Sequence, residues 1–260
     1  MQVSQAEIQE GCLSPENFAR AVRILGDVGY VVLEGVIDPA LVAQIRETFA
    51  PIFQAHLAQP EVRARVDAGH GYVQLDAPFI PPFSDEIICA NPLAVQIMEA
   101  VLGPKFVSVF YNTNSTVRGT DIQPIHIDMP NLIFPGFQGS LPCWSLVVNI
   151  PLIDFNEANG STEVWPGTHL NPIEGDLLER SRYLPSARVN ARVGDLVIRD
   201  LRVWHRGMPS QIDQVRTMLA LVYHREWLHI QRPLIRIPRA RWESFSERTK
   251  RIYARNLIVD

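Results

Sequence analysis

Cysteine is scarce in this chain: three in 260 residues, Cys12, Cys89 and Cys143, odd in number and far apart. That argues against a disulfide frame or a cysteine zinc knuckle and fits reduced thiols in a cytoplasmic protein. No apolar run approaches the roughly 20 residues a membrane span needs. The opening MQVSQAEIQEGCLS lacks the basic and apolar regions of a signal peptide. Charge of one sign does not accumulate either: the net charge of −4 is spread along the chain without a basic stripe, which argues against nucleic acid as a partner. Internal repeats, low-complexity stretches and linkers are absent. Apolar residues make up 47% of the chain, enough for a core at this length. The seven histidines are the remaining stock of metal ligands.

Ser14-Pro15 predicts a helix start, with Ser14 as the cap and Phe18, Val22 and Leu25 at helical spacing up to Gly29. A short β-rich run, YVVLEGVI, follows. Asp38-Pro39 then caps a second helix with Val42, Ile45 and Phe49 on one face. Residues 60–88, with DAGHGYVQLDAPFIPPFSDE, read as a long irregular segment, of the kind that serves as a lid or binding loop. A third helix is expected at about 91–102. From about 105 the pattern changes to short apolar runs separated by turn residues, the grammar of an antiparallel sandwich or barrel. RARWESFSERTKRIYARN predicts a basic, poorly amphipathic C-terminal helix at about 238–256, which could pack against a second copy to give a homodimer. The expectation is one domain over 1–260, mainly β with flanking α-helices: a helical part at about 14–103 and a β core at about 105–228.

The chemistry centres on QPIHIDMPN, residues 123–131. If this run is a strand, His126 and Asp128 point the same way. Alone, such a pair is more often a surface ion pair than a ligand set. His205, in RVWHRGMPS, is the best distant third ligand. Two imidazoles and one carboxylate on one side of a metal make the facial arrangement of non-haem Fe(II) oxygenases, with open positions for a chelating co-substrate and O₂. Arg216 lies eleven residues after His205. A hairpin between them would return its guanidinium to the metal, where it could grip a carboxylate by two prongs. His56 and His70 carry no pattern, and His224 and His229 read as surface or packing residues.

Together these segments resemble the phytanoyl-CoA dioxygenase family of Fe(II)/2-oxoglutarate oxygenases, in its secondary-metabolite branch. The resemblance rests on ILGDVGYVVLEGVIDPALVAQIR (24–46), HID (126–128), NGSTEVWPGTH (159–169), GDLVIRDLRVWH (194–205) and HRGMPSQIDQVR (205–216), with Thr168 in place of the family's serine. It implies a double-stranded β-helix, a jelly roll of the cupin kind. It also implies Fe(II) on His126, Asp128 and His205, 2-oxoglutarate as co-substrate with its distal carboxylate on Arg216, and O₂ as oxidant. Gln123 and Thr162 are further co-substrate contacts by the same resemblance, and His169 is structural. Related halogenases have a small residue where Asp128 stands, so chlorination is disfavoured.

Nothing here resembles a basic, phosphate-cradling CoA site, so the expected partner is a compact small-molecule substrate. Tyr72, Phe79 and Phe83 would form an aromatic lid from the 60–88 segment. Met129, Trp204 and Tyr223, neighbours in sequence of the expected ligands or of the strand after Arg216, are further candidates to line the pocket. Two rival functions stay open at this point: a jelly-roll binding or sensing protein that has lost turnover, and a cupin-type zinc or manganese isomerase or hydrolase.

Overall fold

The computed structural model describes residues 1–129, 141–170, 176–229 and 234–260. The chain starts with helices α1 (Gln5–Glu10) and α2 (Pro15–Val28). Ser14 caps α2 through its hydroxyl, which accepts from Asn17 N, and Pro15 occupies the first turn, where its missing N–H costs nothing. Gly29 ends α2 at φ 90°, and a Cβ there would overlap Val203 and the His169 ring. Strand β1 (Tyr30–Leu33) follows, then α3 (Pro39–Leu57), α4 (Pro60–Asp67), β2 (Tyr72–Asp76), α5 (Glu86–Cys89) and α6 (Pro92–Leu102).

The second part runs β3 (Val107–Thr116), β4 (Ser145–Pro151), β5 (Thr162–Val164), α7 (Leu177–Ser181), β6 (Ala187–Val189), β7 (Leu196–Asp200), β8 (His205–Arg206) and β9 (Arg216–His224). It closes with β10 (Arg236–Pro238), α8 (Arg239–Ser244), α9 (Glu247–Tyr253) and β11 (Leu257–Val259), where β10 and β11 pair in parallel.

Two sheets make the body. The larger has the order β1-β7-β4-β9-β3-β2, antiparallel throughout. The smaller is β6-β5-β8, extended by a bridge between His126 and His205. This is the double-stranded β-helix expected from the sequence. Both faces of the large sheet are covered, so β4 and β7 are buried along their whole length. Their chemistry still alternates. Leu146, Val148, Ile150, Leu196 and Ile198 join the core formed with α2, α3 and α6. The residues between them, Val147, Asn149, Val197 and Arg199, face an interior cavity. Each fully buried Leu or Ile contributes about 1.5–3 kcal/mol.

The structure corrects three expectations. Residues 60–88 are not one irregular segment: they hold α4, the edge strand β2 and α5. The N-terminal part, expected to be helical apart from the β-rich run that forms β1, also holds β2, and β1 and β2 are the two outermost strands of the large sheet. The C-terminal helix is two short helices. Phe245 is extended at φ −74° and ψ 147° with its ring buried, and Ser246 then caps α9. Among the described residues, no helix is long and apolar enough to cross a membrane.

Candidate metal centre and co-substrate cavity

The cavity lies between the two sheets and has a volume of about 210 Å³. At its mouth stand His126, Asp128 and His205, whose candidate ligand atoms all lie within 4.8 Å of one another. His205 comes from β8 and His126 from the bridge beside it, each donating its backbone N–H to the other's carbonyl at 3.0 and 2.9 Å. Asp128 is not on a strand with His126. The chain bends after the bridge, and Asp128 N donates to Leu201 O at 3.0 Å. The shared direction expected from strand alternation is therefore achieved by a turn.

Each imidazole has the same anchor. Nδ1 of His126 lies 2.9 Å from Pro124 O and Nδ1 of His205 lies 3.0 Å from Val203 O, in both cases the carbonyl two residues back. A proton on each Nδ1 satisfies that carbonyl and leaves the Nε2 lone pair free. His126 Nε2 stands 3.8 Å from Asp128 Oδ1, and His205 Nε2 stands 3.3 Å from Asp128 Oδ2. Burial, reinforced by the charge of Arg199, holds His205 neutral down to about pH 3. Burial opposes ionisation of Asp128. The Arg199 guanidinium, 2.7 Å from Oδ2, outweighs it and brings the pKa to about 2. Two imidazoles and one carboxylate suit a divalent first-row metal and leave positions open for other ligands.

Deeper in the cavity lies Arg216, 3% exposed. It opens β9, so it lies in the large sheet, whereas His205 opens β8 in the small one. The two face each other across the cavity instead of sharing the expected hairpin. The Arg216 guanidinium lies over the Phe155 ring at 4.7 Å and donates to Thr116 Oγ1 through Nη2. Its Nε and Nη1 are buried with no partner among the described residues. Burial lowers its pKa to about 10, still a cation at neutral pH. An uncompensated buried guanidinium is costly, so these two donors fit an incoming carboxylate. The Tyr72 hydroxyl, in the same cavity, is also buried without a partner among the described residues, and burial raises its pKa to about 12.

Of the other expected residues, Gln123, Thr162 and Met129 line the cavity. Gln123 Oε1 accepts from Gly207 N at 2.8 Å, which turns the amide nitrogen into the group left to donate. A side chain at Gly207 would collide with Tyr72 and Gln123. Phe79, Trp204 and Tyr223 do not line the cavity. Phe79 packs among Tyr111, Phe245 and Tyr253, while Phe83 is fully buried near Phe49, so neither forms a lid. Tyr223 donates to Cys89 O at 2.7 Å, and Trp204 is buried beside His205. Strand alternation explains Tyr223, which lies on β9 between cavity-facing Val222 and His224 and so points away.

Sequence reasoning missed Arg199, His224 and the asparagines Asn112, Asn114 and Asn149, all of which line the cavity. The available signal was a polar residue at an inward position of an otherwise apolar strand, as in VIRD. His224 is buried, not superficial, with Nδ1 2.7 Å from Ser145 Oγ. His169 is structural as expected, bonding Gly26 O through Nε2 at 2.9 Å.

Comparisons with known proteins agree with this geometry. The family model described as Phytanoyl-CoA dioxygenase (PhyH) matches residues 26–218. The chain is 24% identical over 249 residues to the dioxygenase cdmA of Talaromyces verruculosus, covering 87% of this chain and 80% of that protein. Among solved structures it is similar to HygX from Streptomyces hygroscopicus, which has nickel and 2-oxoglutarate bound. The TM-score is 0.64 at 15% identity, over 85% of this chain and 90% of HygX. It is also similar to SnoN, a non-heme α-ketoglutarate-dependent epimerase from nogalamycin biosynthesis, with a TM-score of 0.57 at 18% identity over 81% and 83% of the two chains. With the family model spanning both sheets and every residue of the His–Asp–His cluster, the chain belongs to the phytanoyl-CoA dioxygenase family and is an Fe(II)/2-oxoglutarate-dependent oxygenase.

Proposed function

We propose that this oxygenase acts on an unactivated C–H bond of a small natural-product intermediate, by hydroxylation or by desaturation or rearrangement. In this reading His126, Asp128 and His205 hold Fe(II), and Arg216 receives the distal carboxylate of 2-oxoglutarate. Gln123 and Thr162 assist as amide and hydroxyl donors. The observation that carries the reading is Arg216: a buried guanidinium with two unpartnered nitrogens in the same cavity as the His–Asp–His cluster. Support for the substrate class comes from SnoN and its place in nogalamycin biosynthesis.

Iron, 2-oxoglutarate and O₂ supply the oxidising power when bound, with succinate and CO₂ as co-products. The chain's own residues do the rest. Pro124 O and Val203 O fix both imidazoles with their Nε2 atoms toward Asp128. Phe155 holds the Arg216 guanidinium flat, so a carboxylate meets it in one orientation. The buried walls keep bulk water from the reacting groups.

Anaerobic protein given Fe(II) and then 2-oxoglutarate should develop a weak visible metal-to-ligand absorption band, and admitting O₂ should release succinate. Absence of the band would sink the reading. A preparation that binds both but never forms succinate with any substrate would point to a binding or sensing protein. Zinc or manganese in protein isolated without air would point to the cupin-type alternative.

A further inference from the structure

The oxygenase reading leaves one end of the cavity unassigned, and the inference here rests on that reading. Arg216 and Val222 face the same interior from β9, six residues apart, which is about 20 Å along a strand. A five-carbon diacid spans only roughly 6 Å at about 1.5 Å per bond. Co-substrate held between Arg216 and the metal centre therefore leaves the Val222 end for the molecule to be oxidised. That end is largely apolar: Val147, Leu201, Ala220 and Val222 form one cluster with Phe110 and Met129 packed on it, and the His224 imidazole lies beyond Val222.

A single charged group interrupts this apolar wall. Arg199 pairs with Val147 across β7 and β4, and Val147 pairs with Val222 across β4 and β9. Its side chain is 8% exposed. Nη2 donates to Asp128 Oδ2 at 2.7 Å. Nη1 stands 3.2 Å from His205 Nδ1, but that nitrogen also lies 3.0 Å from Val203 O. An imidazole that gives its Nε2 lone pair to a metal carries its proton on Nδ1. It then donates to Val203 and cannot accept from Arg199. In the metal-bound protein Nη1 needs another acceptor.

Charge points the same way. Fe(II), the 2-oxoglutarate dianion, Asp128 and Arg216 sum to zero. Arg199 adds one positive charge, and Asp128 is the single carboxylate among the described cavity-lining residues. We infer that the molecule oxidised is a largely apolar carboxylic acid, its carboxylate received by Arg199 Nη1 and its hydrocarbon body lying against Phe110, Met129, Val147 and Val222. Because Arg199 also holds Asp128, the carbons next to that carboxylate are the ones brought to the metal.

The test uses the Fe(II)-loaded protein without O₂, saturated with 2-oxoglutarate. Phenylacetate, 3-phenylpropanoate and octanoate, each beside its uncharged amide, are titrated by calorimetry and by the shift of the absorption band. At least one acid should bind ten-fold or more tighter than its amide, without displacing 2-oxoglutarate. Arg199→Gln should erase that preference, and Arg199→Lys should keep part of it. The wild-type comparison stands even if the variants fold poorly. No acid preferred over its amide, or displacement of 2-oxoglutarate by the acid, overturns the inference. So does a ten-fold loss of 2-oxoglutarate affinity in Arg199→Gln, because Arg199 would then serve the co-substrate's own carboxylate. Failure of 2-oxoglutarate to bind the wild type strikes the oxygenase reading instead. The acid and amide pairs are then read on metal-loaded Arg216→Gln, where the deep arginine cannot capture them.

Discussion

The two ends of the cavity each hold one buried arginine, and the protein keeps them in different ways. Arg199 has an acid partner within the chain, Asp128, and contributes to the shape of the metal centre. Among the described residues, Arg216 has a hydroxyl and an aromatic face but no acid, and two of its nitrogens have no partner. An arginine paired through one nitrogen is held in place and keeps only the other, here Nη1, for an arriving anion. An arginine buried without an acid is a receptor, because an anion that arrives there recovers the cost of keeping the cation dry. The walls differ in the same sense: Tyr72 and Asn114 lie on the Arg216 side, aliphatic side chains, Phe110 and Met129 on the Arg199 side, and Asn112 and Asn149 between them at the level of Ala220.

The comparison can be broken at several points. The largest effect is expected at the metal centre, which both ends share. His205→Ala or His126→Ala should cut succinate formation by more than about 100-fold, above the range for losing a group that only supports a ligand. Unchanged turnover would remove these histidines from the site. Next comes Arg216→Ala, which should raise the 2-oxoglutarate requirement by 30-fold or more, from about 2–5 kcal/mol for truncating one partner of a buried charge pair. An unaltered requirement would leave the two arginines without distinct roles.

The metal-free protein should also lose stability as pH falls. Its folded state keeps His205 neutral down to about 3, whereas an unfolded imidazole protonates near 6.5. The unfolded chain thus binds the proton first. Stability is fully present above about pH 6.5 and declines below it, by at most about 1.4 kcal/mol per pH unit for this group. Asp128, held at about 2 in the folded state, adds to the decline below about pH 4. Denaturant midpoints at pH 7.5, 6 and 5 read the slope, and a flat profile would contradict the buried neutral imidazole. The smallest effect is Tyr72→Phe. Removing a buried, unpartnered hydroxyl should leave the ligand-free protein as stable or up to about 1 kcal/mol more so, while weakening 2-oxoglutarate a few-fold. Destabilisation by more than that would mean the hydroxyl already has a partner.

The His–Asp–His cluster and the buried Arg216 were legible because residue type, order and spacing carry them, whatever path the backbone takes between. The backbone path itself was not. Asp128 arrives by a bend, and β8 and β9 lie in facing sheets, because two-sheet closure depends on pairings distant in sequence. Trp204 and Tyr223 were misplaced because adjacency in sequence to a cavity residue was read as adjacency in space, and Phe79 because residues 60–88 were read as one irregular lid segment. Arg199 and Asn149 were legible in principle, as polar residues at inward positions of β7 and β4. The break of the C-terminal helix could have been read from Ser246, a capping residue followed by Glu-Arg-Thr.

The placement of β1 and β2 has a consequence for the chain as a whole. They are the outermost strands of the large sheet, one covering β7 and the other covering β3. The first third of the sequence therefore closes both edges of a sheet whose interior comes from the rest. A fragment beginning near residue 105 would keep every expected iron ligand, yet it would present two long rows of unpaired backbone groups. Such edges template pairing between molecules, so that fragment should aggregate rather than yield a minimal enzyme.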